Sequence, residues 1–251
     1  MRVTHLERSD FLDNYCDIRP GEHVNLISPT GGGKTHFAYQ LFAKTMHDYP
    51  DQRHVSFMPK PMDSTTAAFS EALQLKEISE WPPKKRVWEN VPPGYLLWPK
   101  HVRDESRNRE RLYTTFSEGL NDQYFGGHST TLIDDAYLIG VHLGCNPLLD
   151  RHWIAGRSSG ASLITCLQKP SGTVSGAVSS FAYDSPTHLF FGRDSDQRNL
   201  QRISEISISQ LDPREVQDIV KRLPVHRIND SAVSEMLYID RRGPYMATIG
   251  V

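Results

Sequence analysis

The sequence has little that would suit a secreted, disulfide-stabilised or membrane-embedded protein. Its three cysteines, at positions 16, 145 and 166, are too few and too scattered for a disulfide framework or a zinc site, which favours a reducing compartment. No stretch approaches the ~18 apolar residues of a membrane span, and the N-terminus has no apolar signal region. We therefore expect a soluble, cytoplasmic protein without a transmembrane segment.

Charge of one sign is also lacking. The formal net charge of −2 gives no overall basic field of the kind that marks many nucleic-acid-binding proteins. It does not exclude nucleic acid, because a ring-shaped assembly needs positive charge only on its inner surface. Candidate basic groups are Lys84-Lys85-Arg86 and a second set that alternates with acidic residues, as a solvated helix face does: Lys100, Arg103, Arg107, Arg109 and Arg111.

The order of the sequence patterns predicts a single α/β domain over residues 1–251. Apolar or β-branched runs alternate with helical patterns, which indicates a mostly parallel sheet flanked by crossover helices. We predict strands at about 23–28, 53–58, 95–98, 129–134, 161–167 and 187–192. Four prolines lie between residues 77 and 93, a stretch that we interpret as a surface insertion.

Two helices and a hairpin have clear sequence signals. A helix is predicted near 102–125, where apolar residues recur every four positions. A second helix begins at Asp212-Pro213-Arg214-Glu215, with Asp as the N-cap and Pro in the first turn. The segment 235–249 reads as a hairpin that turns at Arg241-Arg242-Gly243-Pro244.

The strongest motif is the segment Ser28-Pro29-Thr30-Gly31-Gly32-Gly33-Lys34-Thr35, which follows a predicted strand and precedes a predicted helix. This is the order of a P-loop, whose backbone N–H groups surround a triphosphate. Lys34 is expected to reach the β- and γ-phosphates of ATP, and the Thr35 hydroxyl to hold Mg²⁺. Ser28 stands where the first glycine of the pattern usually lies. The alternative is a glycine-rich turn that happens to precede a helix.

Two further strand ends carry polar residues that suit the same site. Asp134 and Asp135 follow a strand, as in a Walker B segment, with Asp134 expected in the Mg²⁺ shell and Asp135 polarising the attacking water. Gln168 ends the next strand and is expected to sense the γ-phosphate or orient that water. The alternatives are a helix cap for the aspartates and a loop cap for Gln168. Cys166 is interpreted as a small buried residue.

These motifs, in this order, resemble the FtsK/HerA branch of the additional-strand P-loop ATPases. The most specific match is the segment 151–170, in which a Gly-Arg-x-x-Gly run leads into a strand closed by Gln168-Lys169-Pro170. The resemblance covers roughly residues 20–200, with the insertion at 59–100 unmatched. It implies a RecA-like core in a homo-oligomeric ring that acts on double-stranded DNA. The compact viral DNA-packaging ATPases suit this size best, which implies a host-cytoplasmic or virion-associated protein and a portal or capsid-vertex protein as a further partner.

The same resemblance implies an arginine that reaches the γ-phosphate held by a neighbouring subunit. Arg157 is the first candidate, followed by Arg193 and Arg198, and each has the alternative of an exposed surface residue. Two other functions stay open from the sequence. One is a nucleotide-gated assembly or export ATPase of phage morphogenesis, and the other is a small-molecule kinase.

Overall fold

The computed structural model describes residues 3–84, 91–170, 178–207, 212–228, 231–243 and 245–251. Ten strands form one sheet in the order β1-β12-β11-β8-β2-β7-β6-β3-β5-β4, and β9 and β10 form a separate hairpin. The strand pairings give every strand of the large sheet the same direction except β11. The strands are β1 Thr4–Leu6, β2 Val24–Ile27, β3 Arg53–Phe57, β4 Lys76–Ile78, β5 Tyr95–Leu97, β6 Ser129–Ile133, β7 Ala161–Leu167, β8 His188–Gly192, β9 Val225–Ile228, β10 Ser231–Ser234, β11 Met236–Asp240 and β12 Tyr245–Ile249.

Helices cover both faces of the large sheet. One face carries a core with Phe116 and Trp153, and the other carries a core with Phe37 and Phe42. Burial on both faces explains why the central parallel strands are apolar runs rather than alternating patterns. The helices are α1 Arg8–Asp10, α2 Lys34–Asp48, α3 Ser64–Ala72, α4 Glu105–Gly126, α5 Asn146–Ser159, α6 Phe181–Asp184, α7 Gln197–Ile206 and α8 Pro213–Arg222, with π-helical turns at Phe11–Tyr15 and Leu138–His142.

The position of β7 defines the fold. It lies between β2 and β6, with which it pairs in parallel, so an additional strand separates the strand that precedes the P-loop from the strand that precedes Asp134. The strand order reverses at β2, whose other neighbour is β8. Ligands of open parallel sheets bind at the carboxyl ends of the strands near such a reversal. The predicted α/β class, with a RecA-like additional-strand core, is confirmed.

Most predicted elements are present close to their predicted limits. The six predicted strands correspond to β2, β3, β5, β6, β7 and β8, and the helix predicted near 102–125 is α4. The Asp212 side chain accepts the Arg214 N–H at 2.9 Å at the start of α8, as the capping pattern predicts. β11 and β12 pair antiparallel, as the predicted hairpin requires, and Pro244 of the predicted turn lies outside the described residues.

The stretch predicted as a surface insertion is partly built into the sheet. Its first residues belong to β4, which pairs in parallel with β5 at the edge, and Trp81 is buried in the core. The interpretation of 77–93 as wholly superficial is therefore wrong at its start, because a three-residue edge strand is too short to show a period. Lys85 and Arg86, two of the candidate basic residues, lie outside the described residues.

Among the described residues, no helix combines the length and apolar character needed to cross a bilayer.

Candidate functional site

The P-loop connects the buried strand β2 to the first turn of α2. The Ser28 N–H donates to the Leu167 carbonyl at 3.1 Å, which continues the β2–β7 pairing into the loop. Gly31 and Gly33 have φ values of +84° and +80°, a backbone region that glycine adopts without strain. Gly33 is also the N-cap of α2, so the positive end of that helix faces the loop.

Lys34 lies inside the loop rather than in solvent. Its ammonium donates to the carbonyls of Ser28 and Pro29, the latter at 2.8 Å. The side chain is 9% exposed, and burial lowers the pKa of Lys34. A cation held in this way among backbone groups suits a site for anionic phosphates.

Ser28, which replaces the usual first glycine of the motif, fits because two glycines face it. Its hydroxyl oxygen would be 2.2 Å from a Cβ built on Gly32 and 2.4 Å from a Cβ built on Gly192. Gly192 is the last residue of β8, the strand next to β2. The volume of the serine side chain is therefore accommodated by a glycine on the neighbouring strand.

This arrangement predicts a coupled pair of mutations. Gly192→Ala would place its Cβ 2.6 Å from the Ser28 Cβ, so it should destabilise the protein by about 1–3 kcal/mol through overpacking. Adding Ser28→Gly should recover most of that loss, because the clashing atoms are removed. Urea unfolding of the two single variants and the double variant measures the coupling. Strictly additive effects would show that Ser28 and Gly192 do not share this space.

Thr35 and Asp134 converge beside the P-loop. The Thr35 hydroxyl donates to Asp134 Oδ1 at 2.5 Å, and Lys60, just beyond β3, donates to Asp134 Oδ2. Asp134 follows the buried strand β6 and is itself 5% exposed. Burial alone would lower the pKa of Lys60, but the hydrogen bond and charge of Asp134 raise it. A hydroxyl and a carboxylate oxygen are donors that Mg²⁺ prefers, so the predicted pair fits that metal.

Asp135 lies in the same cavity but makes a different contact. Its Oδ1 accepts the Leu138 N–H at 3.0 Å, at the start of the π-helical turn. One carboxylate oxygen of Asp135 therefore caps this helical turn, which is the alternative role that the sequence left open for the aspartates. Asp135 nevertheless lines the cavity that Lys34 and Thr35 also line, as expected for a residue that acts on a bound nucleotide.

The cavity has a volume of about 750 Å³ and joins residues from across the sheet. Gln168, exposed at the end of β7, is among its lining residues, as the strand-end argument predicts. Cys166 also reaches the cavity, but burial raises the pKa of its thiol well above the usual value. A thiol in that state is a poor nucleophile, which agrees with its interpretation as a buried structural residue.

Three parts of the cavity wall were not predicted from the sequence. Lys60 is a single lysine in a proline-flanked segment, and only its place after a core strand could have indicated it. The β9–β10 hairpin covers the P-loop, since a Cβ on Gly33 would lie 2.5 Å from Val233 Cγ1. Its signal is the Asn-Asp pair at 229–230 between two short segments. The N-terminal segment contributes Glu7 to Ser9 and Leu12.

The three candidate arginines lie at opposite ends of the parallel strands. Arg193 and Arg198 follow β8, so they lie at the carboxyl ends of the strands, where the P-loop also lies. Arg157, in the last turn of α5, precedes β7 and therefore lies at the amino ends of the strands. Its carbonyl oxygen there would be 2.7 Å from a Cβ built on Gly21. All three side chains are exposed. Arg157 therefore takes no part in the cavity of its own chain.

Solved structures with this fold include a viral genome packaging NTPase, VirB4 and a conjugation coupling protein. The genome packaging NTPase B204 from Sulfolobus turreted icosahedral virus 2, in complex with sulfate, aligns with a TM-score of 0.60 and 14% identity, covering 92% of this chain and 98% of that chain. VirB4 of Thermoanaerobacter pseudethanolicus aligns with a TM-score of 0.63 and 10% identity, covering 91% and 88%. The pCW3 conjugation coupling protein TcpA aligns with a TM-score of 0.55 and 13% identity, covering 92% and 60%.

No family model matches the sequence, and no curated protein matches it in a sequence search. At identities of 10–15% the structural likeness shows a shared fold. The alignment with B204 extends over nearly the whole length of both chains. The chain therefore has the P-loop NTPase fold of the B204 and VirB4 structures.

Proposed function

We propose that the chain hydrolyses ATP, and the observation that carries this proposal is the meeting of Lys34, Thr35 and Asp134 at the reversal point of the sheet. Lys34 supplies a full positive charge to the β- and γ-phosphates, while the N-terminus of α2 supplies backbone donors. A Mg²⁺ ion held by Thr35 and Asp134 would neutralise charge that develops on the phosphates. Asp135 would accept the proton of the attacking water, and Gln168 would orient it.

The proposed use of that hydrolysis is translocation of double-stranded DNA, in viral genome packaging. Support comes from the likeness to the packaging NTPase B204, which extends over nearly the whole of both chains. Fold likeness alone does not establish function, so the DNA and any portal or capsid-vertex partner are part of the proposal. The basic residues from Lys100 to Arg111 suit a DNA-facing position, because they lie between β5 and the first turns of α4, at the nucleotide edge.

A ring places two different faces of each subunit in contact, so an arginine that lies away from its own P-loop is suited to reach the nucleotide of the next subunit. Arg157 meets this condition. Its helix also presents Ile154, 58% exposed, and Arg151, which lies 5.2 Å from the ring of the 74% exposed Phe125. Exposed apolar residues beside a candidate trans-acting arginine are typical of a subunit interface. We therefore propose the outer face of α5, with neighbouring Phe125, as the surface that meets the next subunit's nucleotide.

The first test is the dependence of ATPase activity on protein and DNA concentration. If the site is completed by a neighbour, specific activity should rise steeply with protein concentration, and double-stranded DNA should raise it further. Counterion release should make the DNA effect fall strongly with added salt. Sedimentation velocity with and without nucleotide gives the assembly state in parallel. A monomer whose ATPase activity does not depend on protein concentration or on DNA would contradict the translocase function. It would favour the small-molecule kinase or the nucleotide-gated assembly ATPase.

A second test identifies the arginine. Mixing Arg157→Ala subunits with Lys34→Ala subunits should restore part of the activity that each variant lacks, because some interfaces then combine an intact P-loop with an intact arginine. Arg198→Ala serves as the matched control, since Arg198 is also exposed but lies at the end of the sheet that carries the nucleotide site. If the Arg157 mixture fails to complement and the Arg198 or Arg193 mixture succeeds, the trans-acting arginine is Arg198 or Arg193 and not Arg157.

A further inference from the structure

One wall of the cavity is formed by chain segments that no P-loop motif includes. The sheet order places β7, β6 and β3 on one side of β2, and β8, β11, β12 and β1 on the other. Asp134 and Lys60 come from the first side, whereas Arg8 and Val251 follow β1 and β12 on the second. The cavity thus extends across the P-loop from the carboxylates to the paired chain segments.

Arg8 is unusually buried and firmly held on that second side. Its side chain is 8% exposed, its Nε donates to the Gly250 carbonyl at 2.9 Å, and its Cζ lies 4.5 Å from the centre of the Phe37 ring. Gly250 is itself fixed, because its N–H donates to the Leu6 carbonyl at 2.8 Å. The guanidinium is therefore positioned by one backbone carbonyl and one aromatic ring of α2.

Part of this guanidinium has no partner. The Nη2 atom is buried and makes no hydrogen bond to the described residues, and no carboxylate of those residues is within ion-pair distance of Arg8. Burial lowers the pKa of Arg8 to about 10, and the charge of Glu235, which makes no ion pair with Arg8, acts in the opposite direction, so the group is still charged at neutral pH. A buried cation without a paired anion is costly, and such an arrangement persists where a ligand supplies the missing acceptor.

The direction of a bound nucleotide follows from the two sides of the cavity. The γ-phosphate must lie near Asp135 and Gln168 for hydrolysis, so the α-phosphate and nucleoside must extend towards β12 and β1. The second side suits a nucleoside because its lining includes the apolar residues Leu12, Ile228, Val233 and Val251. Arg8 lines the same cavity as these apolar residues and packs on Phe37, which belongs to the first turn of α2.

Resting on the proposed ATP site, we propose that Arg8 binds the α-phosphate of the nucleotide in the same subunit through its unpaired Nη2–H. Charge-assisted hydrogen bonds of this kind are among the stronger polar contacts in proteins. The contact is made equally by the tri-, di- and monophosphate, so Arg8 serves binding of the nucleotide rather than sensing of the γ-phosphate. It differs in this from Lys34 and from the proposed trans-acting Arg157.

The test compares three nucleotides on two variants. Arg8→Met keeps a long apolar stem against Phe37 but removes the charge, and calorimetric titration should show ATP, ADP and AMP each bound about tenfold more weakly. Arg8→Lys keeps the charge without the planar fork and should lie between Arg8→Met and the wild type. Arg19→Met, at an exposed arginine near Asp17, is the matched control and should leave all three affinities unchanged.

A merely structural role for Arg8 predicts a different result. It would lower the heat stability of nucleotide-free Arg8→Met, because the Gly250 carbonyl loses its donor, and would leave the stabilisation by added ADP unchanged. Nucleotide binding by Arg8 predicts instead that the stabilisation by added ADP shrinks. A loss of affinity confined to ATP would place Arg8 at the γ-phosphate, and unchanged affinities would remove it from the site. Either result overturns the role proposed for Arg8, even if the wild-type protein hydrolyses ATP. A wild-type protein that binds no nucleotide would overturn the proposed function itself.

Discussion

Replacing Lys34 with alanine is expected to lower ATP hydrolysis about 10²- to 10³-fold while the protein stays folded. The side chain is held inside the P-loop, where its ammonium donates to the carbonyls of Ser28 and Pro29. Among the P-loop residues it is the only one that brings a full charge to the β- and γ-phosphates. Steady-state phosphate release, with circular dichroism to verify the fold, measures the effect.

The matched control for this variant is Lys44→Ala. Lys44 lies on the same helix, α2, but pairs with Asp48 near its C-terminal end, far along the helix from the phosphates. An ion pair of that kind contributes little, so both stability and turnover should stay close to wild type. Wild-type turnover by a folded Lys34→Ala protein would remove the P-loop assignment.

The two aspartates should separate binding from hydrolysis. Asp135→Asn keeps an oxygen that can accept the Leu138 N–H, so the fold should persist and Mg·ATP should still bind. Its amide cannot take the proton of the attacking water, and hydrolysis should fall about 10²- to 10⁴-fold. Asp134→Asn removes the charge that faces both Thr35 and Lys60, so metal-dependent nucleotide binding should weaken as well.

Titration of fluorescent ATP with and without Mg²⁺, beside the hydrolysis assay, distinguishes these two outcomes. Normal binding and hydrolysis by both variants would show that the end of β6 is not the Walker B site. Asp135→Glu adds a further comparison, because a longer carboxylate reaches about one methylene further towards the water. Faster hydrolysis by that variant would mean that the short side chain limits the wild-type rate.

The parts of the site that the sequence predicted are those encoded locally. The P-loop has its strand, its glycines and its helix within one short segment, and Asp134 and Asp135 directly follow a buried strand. Parallel pairing then brings these strand ends to one edge, which the alternating pattern also predicted. Local chemistry and a regular fold together were enough to predict that Lys34, Thr35, both aspartates and Gln168 line one cavity.

The parts that the sequence did not predict depend on distant contacts. Arg8 lines the cavity only because β1 pairs with β12, and no local pattern relates residues 4–6 to 247–249. Val233 reaches Gly33 because the β9–β10 hairpin folds back over the loop. Lys60 meets Asp134 through the pairing of β3 with β6. Each of these contacts joins elements whose spacing in sequence carries no periodic signal.

The pairing of β1 with β12 also fixes when the nucleotide pocket can be completed during synthesis. Strands β2, β3, β6, β7 and β8 can assemble once residue 192 has left the ribosome, but β1 has no neighbour until β12 emerges. Contacts of such long sequence separation form late, because the closure entropy of the intervening chain must first be overcome. A nascent chain that lacks the last hairpin would thus carry a formed phosphate loop without its nucleoside wall. Tight nucleotide binding would therefore require that β12 has already been synthesised and paired with β1.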